Sequence, residues 1–71
     1  MEKNESDLGK EIQQFLQENR LTPFITVYRL VQEMQQRGAS KLAQDVQSRI
    51  EDYDLRFSSR VETLIYDLMG G

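Results

Sequence analysis

ASKLAQDVQSRIEDYDLRFSSRVETLIYDL, residues 39–68, is the stretch whose reading decides the fold. Its large apolar residues recur at Ala39, Leu42, Val46, Ile50, Tyr53, Phe57, Val61, Leu64 and Leu68, in steps of three and four. The steps follow an eleven-residue pattern, which suits a nearly straight helix or a slight right-handed supercoil. No proline or glycine interrupts the pattern before Gly70. The unbroken phase therefore predicts one amphipathic helix over residues 40–69, about 45 Å long at 1.5 Å per residue. Some features point the other way. Asp52-Tyr53-Asp54 is poor in helix propensity, Ser59 and Glu62 are spaced as a capping box, and Leu55 falls well off the stripe. A break between Tyr53 and Ser59 turns the long element into two.

Upstream of this stretch, Gly38 suits the left-handed position just past a helix end, and Ser40 can cap the helix that follows. Phe24, Ile25, Val27, Tyr28, Leu30, Val31 and Met34 cover more than half the circumference of a second helix. So broad an arc needs two neighbours. Thr22 reads as the N-cap of that helix and Pro23 as its first residue, where a missing N–H costs nothing. Before it, Leu8, Ile12, Phe15 and Leu16 share one face of a first helix. Ser6 or Asp7 stands at its start, Asn19-Arg20 at its end, and Gly9 weakens it by about 1 kcal/mol relative to alanine.

The expected fold is all-α: a small bundle in one domain over residues 1–71. It has a tail at 1–5 and helices at 6–19, 23–37 and 40–69. The second helix makes an antiparallel hairpin with the long or kinked third, and a break in the third makes four helices. The chain reads as having no internal repeat and no low-complexity tract beyond mild glutamine enrichment.

Composition narrows the function. The chain has 71 residues, no cysteine, no histidine and a formal charge of −3. Disulfides and thiolate or imidazole metal ligands are excluded. A chain this short without such staples relies on good helix packing or on oligomerisation. No apolar run approaches the roughly 18–20 residues of a membrane span. The polar start Met1-Glu2-Lys3-Asn4-Glu5 lacks a signal-peptide core, so a cytoplasmic setting is expected.

Glu51-Asp52-x-Asp54 is the densest acidic cluster, but its members point in different directions on a helix. Ser58-Ser59 has no base or glycine elbow beside it. No residue set fills the roles of an active site or cofactor site, and a non-enzymatic protein is expected. The six aromatics are Phe15, Phe24, Tyr28, Tyr53, Phe57 and Tyr66, and all but Tyr66 fall on predicted core faces.

Helix two is too short to cover the long stripe, so the part from Phe57 to Met69 is expected to stay open. That predicts a partner surface of Arg56, Arg60, Leu64, Ile65, Tyr66, Leu68 and Met69, apolar and rimmed by arginine. Its occupant is an acidic partner protein or a second copy in a homodimer. The expected function is an interaction module: an adaptor, inhibitor or regulatory subunit. The alternative is a dimeric nucleic-acid-binding regulator using Lys41, Arg49, Arg56 and Arg60 along one helix edge, which the acidic balance disfavours.

Overall fold

The computed structural model describes residues 5–53 and 55–70. It is all-helical, with four helices: α1 (Glu5–Glu18), α2 (Val27–Gln36), α3 (Ser40–Asp52) and α4 (Val61–Leu68). Most of the expected tail lies outside the described residues, and Glu5 already belongs to α1.

The unbroken third helix is not observed. Residues 55–60 form a loop between α3 and α4, and the whole fold measures 28 × 25 × 18 Å, too small for a helix of about 45 Å. The physical reason is local. Tyr53 caps α3, and the Leu55 N–H turns back to the Ile50 carbonyl at 2.9 Å, the six-to-one bond that closes a helix end. Leu55, the residue off the stripe, then packs against the core. Ser59 does not form a capping box. Its hydroxyl accepts from the Arg56 N–H, and Arg60 occupies the N-cap.

The second helix is also shorter than expected. Thr22 Oγ1 accepts from the Phe24 N–H at 3.3 Å, which makes a turn. The true N-cap is Thr26, whose hydroxyl accepts from the Arg29 N–H at 3.2 Å. Gly38 takes φ +83 just past α2, as its position predicts. The Ala39 N–H returns to the Met34 carbonyl at 2.8 Å. Ala39, not Ser40, precedes α3 as its N-cap.

The chain contains a repeat that its letters conceal. Backbone conformation follows the same course over residues 21–30 and 55–64. At that constant offset Ser6 matches Ser40, Leu8 Leu42, Gln13 Gln47, Leu21 Leu55, Val27 Val61 and Leu30 Leu64. Core positions match in kind as well: Ile12 with Val46, Leu16 with Ile50, Val31 with Ile65, Met34 with Leu68. The molecule is thus two helix–loop–helix halves related by an approximate twofold.

The halves interlock. Helix α1 packs on α4 and α2 on α3. Leu8, Ile12, Leu16, Leu30, Met34, Val46, Ile50, Leu64 and Leu68 share one buried core. Among the described residues no polar or charged residue is buried, and no helix is long and apolar enough to cross a membrane.

Candidate interaction surface

The first N–H groups of any helix have no partner within that helix. Here each half satisfies those of the other. In α2, the Val27 and Tyr28 N–H groups donate to the Ser59 and Phe57 carbonyls at 2.8 and 2.9 Å. In α4, the Val61 and Glu62 N–H groups donate to the Ile25 and Pro23 carbonyls, both at 2.9 Å. Thr26 and Arg60 pair as an antiparallel bridge at the centre. Four crossed hydrogen bonds therefore tie the two interhelical loops into one platform. Arg60 reinforces it, with Nη1 donating to the Phe24 carbonyl at 3.1 Å.

This platform carries aromatic side chains that the core does not take. Phe24 is 63% exposed, Tyr28 57% and Phe57 44%. The expectation that all three are core residues is corrected. Phe24 lies in the loop rather than on α2, and Phe57 lies in the loop between α3 and α4. The Tyr28 hydroxyl accepts from Gln32 Nε2 at 2.8 Å, one turn along α2. Arg56 and Arg60, both exposed, come from the same loop as Phe57.

The partner surface expected on the C-terminal helix divides. Leu64, Ile65 and Leu68 are buried, because α1 covers the α4 stripe that helix two was too short to reach. The reason given for a second copy, an open stripe from Phe57 to Met69, goes with them. Tyr66 stays exposed beside a shallow depression shared with Glu62 and Thr63. Met69 lies against α1 at Gly9. Arg56 and Arg60 remain on the surface in the loop that carries Phe57, and Arg60 reaches the Phe24 carbonyl.

The basic edge divides too. Lys41 is in the first turn of α3 and Arg49 near its end, whereas Arg56 and Arg60 are on the loop. Arg49 Nη1 pairs with Asp52 at 3.0 Å, and its Nε is buried without a hydrogen-bond partner. The Glu51-Asp52 cluster is thus partly neutralised by its own helix, and Asp54 lies outside the described residues. Among the described residues no group of three or more carboxylates is placed to hold a metal ion.

Sequence reasoning missed Phe24 and Tyr28 as surface residues. The alignment of Leu21–Thr26 with Leu55–Arg60, which makes both segments loops, is the signal that could have found Phe24; Tyr28 lies beyond it on α2. The chain matches no protein-family model, no curated protein and no solved structure.

Proposed function

We propose that this protein is a non-enzymatic interaction module, an adaptor or regulatory subunit. Its contact surface is the loop platform of Phe24, Tyr28 and Phe57, rimmed by Arg56 and Arg60. One observation carries the reading: three aromatics stand exposed on the backbone segment that is pinned by crossed hydrogen bonds. Rigid aromatic anchors beside arginine are the composition in which binding energy concentrates at protein interfaces. A pre-formed backbone also spares most of the ordering cost of association. The arginines favour an acidic partner, chiefly through encounter rate and register.

The test compares captures from native host extract by three baits: the native chain, Phe24→Ser/Phe57→Ser, and Tyr66→Ser. A stoichiometric partner held by the native chain and by Tyr66→Ser, and lost by the double variant, is the expected result. Equal capture by all three refutes the platform as the contact surface.

A second reading uses the same residues. Exposed aromatics interleaved with arginine can stack on unpaired bases. The net charge of −3 ranks it lower. Fluorescence titration with single-stranded RNA over a salt series separates the two. Binding that falls steeply with salt and disappears on Phe24→Ser replaces the protein-partner reading with this one.

A further inference from the structure

The twofold exchanges α1 and α3, so the groove between them belongs to both halves, and its lining is unequal. That groove has a volume of about 400 Å³. Phe15, Ala39 and Leu42 give it apolar walls, and Glu11, Glu18 and Asp45 supply three carboxylates against one cation, Lys41.

The equivalent positions on α3 carry a cation of their own. The position equivalent to Phe15 in the second half is Arg49, and the equivalent of Glu18 is Asp52. There the chain provides its own arginine, with Nη1 on the Asp52 carboxylate at 3.0 Å and Nε fully buried. In the first half a phenylalanine stands three residues before the acid. The Glu18 carboxylate is met by the neutral Gln14 amide at 3.4 Å. Leu42 is similarly uneven with its counterpart. Leu8 is buried, whereas Leu42 is half-buried and lines the groove. Met69 reaches α1 at Gly9, beside Leu8, but the residue equivalent to Met69 is the exposed Gln35.

We propose that the α1–α3 groove is a docking site for an arginine-bearing apolar segment of a basic partner protein. An aliphatic side chain of that segment packs on Leu42 and Ala39. Its guanidinium pairs with Glu18 as Arg49 pairs with Asp52. A planar guanidinium suits this better than an ammonium, because its fork meets a carboxylate with two donors. The acidic net charge speeds the encounter with a basic segment. This site has the opposite sign to the loop platform and uses different residues, so a protein carrying both can bridge two partners.

The experiment titrates the full ¹⁵N-labelled chain with two synthetic amphipathic helices of identical leucine pattern. One has arginine at its polar positions and the other has glutamate. The arginine helix is expected to bind, with amide shifts concentrated on residues 11–18 and 39–45. Glu18→Lys and Leu42→Ser should each weaken it at least about fivefold, a loss of one well-placed contact. Glu62→Lys changes the charge equally but on α4, and should leave affinity within about twofold. Phe24→Ser/Phe57→Ser should have no effect, which separates this site from the loop platform. The proposal is overturned by absence of binding to the arginine helix, by shifts spread over every acidic residue, or by equal losses for Glu18→Lys and Glu62→Lys.

Discussion

Replacing Gly9 with alanine sets two effects of similar size against each other. Gly9 is buried within α1 where α4 crosses it. A methyl group there meets Met69 Sδ at 2.8 Å, Met69 Cγ at 3.3 Å and Leu68 Cβ at 3.5 Å. The last is an ordinary contact, but the thioether must move by roughly 1 Å to restore normal separation. In favour of alanine stand about 1 kcal/mol of helix propensity and about 0.8 kcal/mol for a buried methyl. Against it stands overpacking, usually about 1–3 kcal/mol. The low end applies because methionine is unbranched and Met69 is 42% exposed. Gly9→Ala alone should therefore change stability by less than about 1 kcal/mol. In a Met69→Ala background the obstruction is gone, and the same substitution should stabilise by about 1–2 kcal/mol. The equivalent residue in α3, Ala43, already holds a methyl at 0% exposure, with Gln35 in the place of Met69. The two substitutions should thus couple by about 1 kcal/mol. Urea unfolding of the four chains measures this, since a chain of this size shifts its midpoint by roughly 1 M per kcal/mol. Additivity within about 0.3 kcal/mol refutes the packing of Met69 onto α1.

Four further outcomes follow from the same structure. Leu64→Asp puts a carboxylate at a 0%-exposed core position, and should unfold the chain outright, with loss of the far-ultraviolet helix signal. Tyr66→Ser should leave the unfolding midpoint unchanged within about 0.5 kcal/mol. Thr26→Ala removes the hydroxyl that accepts from Arg29 and should cost about 1 kcal/mol in urea denaturation, whereas Thr22→Ala should cost only a few tenths. A circular permutant that opens the chain at Gly38 and joins residue 70 to residue 5 through a short linker should fold cooperatively, because Met69 already lies at Gly9. A molten permutant, judged by NMR dispersion, contradicts the twofold arrangement.

Much of the core was legible from spacing alone. The i, i+4, i+7, i+8 set of Leu8, Ile12, Phe15 and Leu16 is buried as the spacing predicts. So are Val27, Leu30, Val31 and Met34, because these eight share their helix's inner face. Gly38 was legible because a left-handed residue before a new apolar run has few other readings. The loop at 55–60 was legible only as the alternative, a break between Tyr53 and Ser59, because of an accident of phase. Tyr53 and Phe57 continue the three–four spacing of α3 into Val61 of α4, yet Phe57 is exposed in a loop. Hydrophobic periodicity records where apolar residues stand and cannot tell a helix turn from a loop that spans the same number of residues. Leu55 was the residue that broke the pattern, and it is the one that the loop folds inward. Thr22-Pro23 misled in the opposite sense. It has the composition of a helix start, but the helix begins where tertiary hydrogen bonds satisfy its first donors, at Val27.

The candidate surfaces follow from that same error. A broken helix frees α1 to cover α4, which buries Leu64, Ile65 and Leu68 and leaves the paired loops to carry the exposed aromatics. The equivalent pairs show where the halves diverge. Val27/Val61, Leu30/Leu64 and Ile12/Val46 are alike, and all six are buried in the one core that the halves share. Outside that core the pairs are chemically unrelated: Phe24 with Ser58, Tyr28 with Glu62. Packing makes no demand on a 63%-exposed phenylalanine or a 57%-exposed tyrosine. Burying either ring against a partner removes apolar surface from water at about 25 cal/mol per Å². The unshared positions are therefore where binding chemistry can differ between the halves at little cost to the fold. They point to the loop platform and the α1–α3 groove rather than to the outer face of α4.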